Sequence, residues 1–184
     1  MEEKAAGLLL QTTPYLGQKK ILKIFTPHGM ATLFAQKCTL TPFCIAEWVW
    51  SNTQKEIGTL KDTTLLDPLL CLKESYPLIL AAGQLAKDLL RTQLPGKGAP
   101  EVYQLACLYF KKLPLAPTAF VASFKLKLLL HEGLLSLEQD PLFSSSEWET
   151  VLALTYARTI SHIVGQSKIP EALISALFDE RLTR

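Results

Sequence analysis

Apolar residues along the first third of the chain alternate with polar or small ones. AAGLLLQTT at 5–13 is a first apolar run, ended by Pro14. KKILKIFT at 19–26 is a second; Ile21, Lys23 and Phe25 share one face, and Leu22, Ile24 and Thr26 the other. GMATLFAQK at 29–37 is a third, with Met30, Thr32, Phe34 and Gln36 against Ala31, Leu33 and Ala35. Pro27-His28-Gly29 between them is a short turn signal, which predicts a hairpin. PFCIAEWVWSN at 42–52 is a fourth run, with Cys44, Ala46, Trp48 and Trp50 on one side, and IGTLKDTTLL at 57–66 is a fifth. The polar TQKE between these two is turn-like. Five short strands with no room for helical crossovers predict a small antiparallel barrel or sandwich over 1–66.

The period changes near Asp67. Asp67-Pro68 carries a helix-start signal, a capping side chain followed by proline. A second start at Ser75-Tyr76-Pro77 leads into Leu78, Ala81, Ala82, Leu85 and Leu89 at helical spacing, ended by LPGKG at 94–98. Pro100 and Glu101 open a helix with Val102, Leu105, Leu108 and Tyr109 on one face. Pro117-Thr118 precedes another, bearing Phe120, Phe124 and Leu128 and stopped by Gly133. Ser146 with Glu149 reads as a capping box. The helix it opens carries Val151, Leu152, Leu154, Ile160 and Ile163 to near Gly165, and Pro170 starts a last one. Residues 67–184 therefore predict a bundle of about five helices.

Composition narrows the function classes. At 48% hydrophobic and 20% charged, the 184 residues are those of an ordinary globular chain. No apolar run approaches the ~20 residues that span a bilayer. The opening MEEKAAGLLLQ is too short in its apolar part for a signal peptide, so a cytosolic protein is expected. Cys38, Cys44, Cys71 and Cys107 form no C-x-x-C pair and fit neither a disulfide framework nor zinc, so they read as small buried hydrophobes. His28, His131 and His162 have no metal or triad spacing, and Ser144-Ser145-Ser146 reads as helix capping rather than as nucleophiles. No Gly-rich phosphate loop is present. No catalytic set, cofactor or metal is expected.

The charge is uneven. The net of +2 divides into +2 over 1–62, +3 over 63–134 and −3 over 135–184, a basic body with an acidic end segment. Lys19, Lys20, Lys23 and Lys37 lie in or beside the predicted hairpin, and Lys55 and Lys61 in or near later strands. A barrel that displays lysines and a few rings can hold single-stranded nucleic acid, with phosphates on the ammonium groups and bases stacked on the rings. Phe25, Phe34, Trp48 and Trp50 are open to either role, stacking or core, and core is favoured for each ring alone. In the helical half, Lys87, Arg91, Lys111, Lys112, Lys125 and Lys127 sit among apolar residues. A groove with an apolar floor and a basic rim suits an acidic, hydrophobic peptide tail; a solvated face with snorkelling lysines is the competing reading.

The order of these parts resembles the bacterial recombination mediator RecO family. The marks are Tyr15 followed by ILKIFTPHG (21–29), LFAQK (33–37), Pro42-Phe43 and Gly58-Thr59-Leu60, then Tyr76, VYQLACLYFKKL (102–113) and FKLKLLLHEGLL (124–135). Each is degenerate, and their order carries the likeness, over about 6–135 and more loosely beyond. The resemblance implies an α+β chain, an N-terminal OB-fold β-barrel followed by an α-helical bundle, in a short form without the family's zinc module. It implies a non-catalytic protein that binds single- and double-stranded DNA and anneals complementary strands. Its implied partners are a RecR-like protein and the acidic C-terminal tail of single-strand binding protein, and its implied place is the bacterial cytoplasm, at the nucleoid. An adaptor of the same fold that binds mainly proteins is the alternative. Many relatives carry a basic loop after the third strand, where Lys37 here is followed by CTLTP. Many also carry a four-cysteine zinc module where Gly133 here leads through LLSLEQDPLFSSS to the next helix. Among the basic positions only Lys37 matches the family.

Overall fold

A computed structural model describes residues 2–51 and 57–183. Five strands, β1 (Glu2–Tyr15), β2 (Lys19–Thr26), β3 (Gly29–Ala35), β4 (Ile45–Ser51) and β5 (Gly58–Asp67), close into a barrel in the order β1-β2-β3-β5-β4. All pairings are antiparallel except β3 with β5, which is parallel and limited to Leu33↔Gly58 and Phe34↔Thr59. This is the closed five-strand arrangement of an OB-fold. The inward positions foreseen from alternation fill it: Leu9, Leu22, Ile24, Leu33, Cys44, Ala46, Trp48 and Trp50 share one buried cluster. Trp48 donates its indole N–H to the Gly7 carbonyl at 3.0 Å, so the largest ring of the barrel is both buried and satisfied.

Strand β1 is longer than its apolar run. It pairs with β4 from Glu2 to Leu8 and with β2 from Leu8 to Tyr15, bulging between Leu9 and Gln11. Beyond Leu8 it has a strand on one side only, which is the edge position where Pro14 needs no N–H partner. In the β2–β3 turn, Thr26 Oγ1 donates to the Gly29 carbonyl (3.0 Å) and accepts from the His28 N–H (3.2 Å). Gly29 sits at φ 109°, and a Cβ there would lie 2.6 Å from the Lys97 carbonyl oxygen, so the Phe-Thr-x-x-Gly pattern encodes a tight turn pressed against the 94–97 loop.

Six helices follow: α1 (Tyr76–Thr92), α2 (Pro100–Lys112), α3 (Pro117–His131), α4 (Ser145–Tyr156), α5 (Ile160–Val164) and α6 (Glu171–Thr183). Asp67-Pro68 opens no long helix. β5 runs through Asp67, whose carboxylate accepts from the Leu69 N–H at 3.0 Å, and a 3₁₀ turn at Leu70–Lys73 intervenes before α1. The capping box is formed by Ser144 and Glu147, two residues earlier than the pattern indicates. The helix expected to continue to Gly165 breaks after Tyr156, because Ala157 leaves helical geometry. Lys127 of α3 supports the break by donating to the Thr155 and Ala157 carbonyls, each at 2.9 Å.

The helices pack around α3, whose Phe120, Phe124, Leu126, Leu128 and Leu129 are fully buried. This core continues into the barrel wall: Leu8, Leu10, Phe25, Met30 and Ile45 belong to it. Phe25 meets Tyr103 of α2 edge to face at 5.9 Å. One flank of β1–β3 is thereby covered by helices, and the outer surface of the rest is left open. No described helix is long and apolar enough to cross a membrane.

Candidate nucleic-acid face and partner groove

The open surface of the barrel is set by strand register. Residues paired across an antiparallel ladder share a face. Gln11↔Lys23↔Thr32 forms one outward row, Thr13↔Ile21↔Phe34 the next, and Tyr15↔Lys19 the third. The last row leads into the Leu16–Gln18 turn, in which Gly17 has φ 66° and Leu16 is exposed. Tyr15 is 50% exposed. Its ring meets the half-buried Phe34 edge-on, with centroids 6.2 Å apart and planes at 83°. Lys19 is exposed beside Tyr15, and Lys23 is held over the sheet by donating to Thr32 Oγ1 at 2.8 Å. Two rings and two ammonium groups thus occupy one solvent-facing surface on β1–β3.

The other barrel lysines are dispersed. Lys20 has the opposite parity to Lys19, and its ammonium donates to the Cys38 carbonyl at 2.6 Å. Lys37 is exposed just after β3, and Lys61 is exposed on β5, beyond the short β3–β5 pairing. Lys55 lies outside the described residues. Of the rings weighed for stacking, Phe25, Trp48 and Trp50 are buried, and only Phe34 reaches the surface. The thiols of Cys38 and Cys44 are buried in the barrel, and burial pushes that of Cys44 up to about 11. Tyr15 was not among the candidate rings. Its signal was there to read, an aromatic closing a strand immediately before a Leu-Gly turn.

The basic residues of the helical part do not converge. Lys125 is interior: its side chain is 5% exposed, and its ammonium lies 3.0 and 3.1 Å from the two oxygens of the buried Asp88. It also sits 4.7 Å above the Phe178 ring. Burial pushes the Asp88 carboxyl up, and Lys125 and Gln84 partly offset this. Arg91 pairs with Asp179, and that hydrogen bond holds Asp179 below the usual carboxylate range. Lys111 pairs with Asp67 at 3.1 Å, joining α2 to the end of β5. Burial pushes Asp67 up, but the Leu69 N–H and Lys111 outweigh it and leave its carboxyl low. Lys87 and Lys112 remain exposed.

Lys127 is different. It stands at a groove of about 440 Å³ between α2, α3 and the α4–α5 break. Leu105, Leu108, Leu130, Ile160 and Ile163 line it together with Tyr156, Lys127 and Arg158. Leu108, Leu130 and Tyr156 are 43%, 38% and 47% exposed, a large apolar share for open surface. Burial lowers the Lys127 pKa from its ordinary value. Arg158 was hidden from the sequence reading because the apolar period runs unbroken across the place where the helix stops.

No family model matches the chain. Curated relatives do. The chain is 28% identical over 198 aligned residues to a protein of Chlamydia trachomatis serovar D named DNA repair protein RecO, covering 96% of this chain and 82% of that one. Proteins of the same name in Chlamydia muridarum and Chlamydia pneumoniae are 28% and 27% identical, covering 78% and 74% of this chain and 66% and 59% of theirs. A closed OB-type barrel, helices docked on one of its flanks and a likeness that runs through both make this chain similar over most of its length to the proteins named DNA repair protein RecO.

Proposed function

We propose that the chain is a non-catalytic DNA-repair mediator. It binds single- and double-stranded DNA, anneals complementary strands, and with a RecR-like protein helps load recombinase onto DNA coated by single-strand binding protein. It works in the bacterial cytoplasm, at the nucleoid. The observation that carries this reading is the outer face of β1–β3, where Tyr15 and Phe34 meet edge-on between Lys19 and Lys23. OB-folds take oligonucleotides on the face of strands 2 and 3 and on the β1–β2 loop, which is where these four residues lie. The lysines suit phosphates, and the exposed Tyr15 ring with the half-buried Phe34 ring suits bases of any sequence. The relatives' name points to the same process. Lys20, Lys37 and Lys61 extend the basic surface around the barrel without joining the ring pair.

The acidic C-terminal tail of single-strand binding protein fits the α2–α3 groove, whose apolar floor is rimmed by Lys127 and Arg158. Lys87, Arg91, Lys111 and Lys112 then act as outlying positive charge, and Lys125, being interior, takes no part. The groove also favours the second reading, an adaptor that binds mainly proteins, and one experiment separates the two. Wild type and Lys19→Glu/Lys23→Glu are titrated with a fluorescent single-stranded oligonucleotide at low salt, and annealing of complementary strands is followed in parallel. The mediator reading expects tight binding and annealing by wild type and loss of both in the variant. Absence of binding by wild type at low salt leaves the adaptor.

A further inference from the structure

Helix α1 is apolar on both sides. Ala82, Leu85, Ala86 and Leu89 face the core. The opposite line, at steps of three and four, reads Tyr76, then Ile79 and Leu80 side by side, Gly83, Lys87 and Arg91. Tyr76, Ile79 and Leu80 are 71%, 41% and 55% exposed, and Leu70 just before the helix is 64% exposed. A surface helix ordinarily turns charge outward, and here the line carries charge only toward its C-terminal end, at Lys87 and at Arg91, which is paired with Asp179. The exposed parts of these four side chains amount to roughly 400 Å², a size at which apolar patches are often functional.

Gly83 adds an independent observation. It lies in the middle of α1 with φ outside the left-handed region, and apart from the adjoining backbone of α1 no described atom lies within 4 Å of where a Cβ would be. Neither backbone conformation nor internal packing asks for glycine, which disfavours a helix interior more than any residue except proline. What a glycine there supplies is room for something outside the chain to approach the backbone.

We propose that this face is a self-association surface on which two copies pack α1 antiparallel about a two-fold axis between Leu80 and Gly83. That centre sets Leu80 of each copy into the space over Gly83 of the other, and Tyr76 of each against Lys87 of the other. The ammonium on the tyrosine ring is a cation–π contact. Glu74, exposed just ahead of the helix, lies near the same lysine in this pairing, and neither it nor Lys87 forms a salt bridge among the described residues. A parallel pairing sets Lys87 against Lys87, so charge selects the antiparallel one. The apolar area is about half the ~800 Å² that each partner buries in a standard interface, so the dimer is weak and concentration-dependent.

Sedimentation equilibrium of the full chain over a wide concentration range tests this. Wild type should pass from monomer to dimer with a Kd in the micromolar range. Gly83→Leu should be monomeric throughout and melt at or above the wild-type temperature, since leucine favours the helix. Lys87→Glu should weaken the dimer, and Glu74→Lys/Lys87→Glu should restore it. A wild type that stays monomeric overturns the proposal, including one whose α1 face binds some other protein. So does a dimer that survives Gly83→Leu, or a charge swap that restores nothing.

Discussion

Replacing Lys125 with methionine probes the joint of three helices. Lys125 of α3 carries its charge to Asp88 of α1, over the face of the Phe178 ring of α6. Asp88 is 0% exposed, and its other side-chain partner is the Gln84 amide, which donates at 2.8 Å. Methionine keeps the length and apolar stem of lysine but leaves the carboxylate in the core with that one donor. Breaking a buried pair by removing one member costs about 3–5 kcal/mol, a large part of the stability of an ordinary domain. The pH dependence has a definite sign. Burial already pushes Asp88 above its ordinary 3.8, with Lys125 holding it back. A carboxyl raised on folding gives stability that is full below its unfolded value and is lost as pH rises through its folded value. Without Lys125 the folded value climbs further, so the loss grows and extends to higher pH. Urea unfolding at a series of pH values should therefore show a deficit that is widest near neutrality and narrows toward pH 4. Lys125→Met/Asp88→Leu should recover most of it, because no buried charge remains. A Lys125→Met protein as stable as wild type, or a deficit equal at all pH values, refutes the argument.

Three further outcomes are expected. Tyr15→Ala and Phe34→Ala should each weaken single-stranded DNA binding by about 1–3 kcal/mol with little change in salt dependence, read by fluorescence anisotropy, since base–ring stacking is of that size and carries no ion release. Ser144→Ala should lower the melting temperature by opening the α4 capping box. The same box should weaken in acid, because Ser144 holds the Glu147 pKa below 4.5 and a depressed carboxylate loses its contribution as pH falls through its folded value; a wild-type/Ser144→Ala difference that does not shrink in acid contradicts this. Arg158→Glu should weaken binding of a synthetic acidic, apolar tail peptide in calorimetry, and Lys111→Glu/Lys112→Glu should weaken it less, as those residues lie outside the groove lining; equal loss from both would move the site away from the groove.

The strands were legible because the barrel is filled from one side of each. Cys44, Ala46, Trp48 and Trp50 repeat every second residue, and all four face inward. The two ends of β1 were not, since Glu2–Lys4 enter the sheet through pairing with β4, and Pro14 is admitted where the strand has lost one neighbour. The α4–α5 break was hidden for a similar reason. Ile160 and Ile163 continue the apolar period of α4, while the carbonyls freed at Thr155 and Ala157 are satisfied by Lys127 from another helix. Long-range partners also decided the basic residues. Composition placed Lys125 on a rim, and a buried aspartate 37 residues earlier draws it into the core. On the barrel, the sequence grouped Lys19, Lys20 and Lys23 on one hairpin, and strand register turns Lys20 to the opposite side from the other two. The closeness of Tyr15 to Phe34 depends on the β1–β2–β3 register, which the hairpin turn sets for β2 and β3 but not for β1.

The central claim is that the outer face of β1–β3 holds DNA through Lys19 and Lys23. Its most direct test is the salt dependence of single-stranded DNA binding by wild type and by Lys19→Gln/Lys23→Gln. Each phosphate contact contributes about 0.7 to the slope of log K against log salt on a single strand. The account predicts a steep wild-type slope that becomes shallower by about 1.4 in the double variant, with weaker binding at low salt. An unchanged slope and affinity would contradict it.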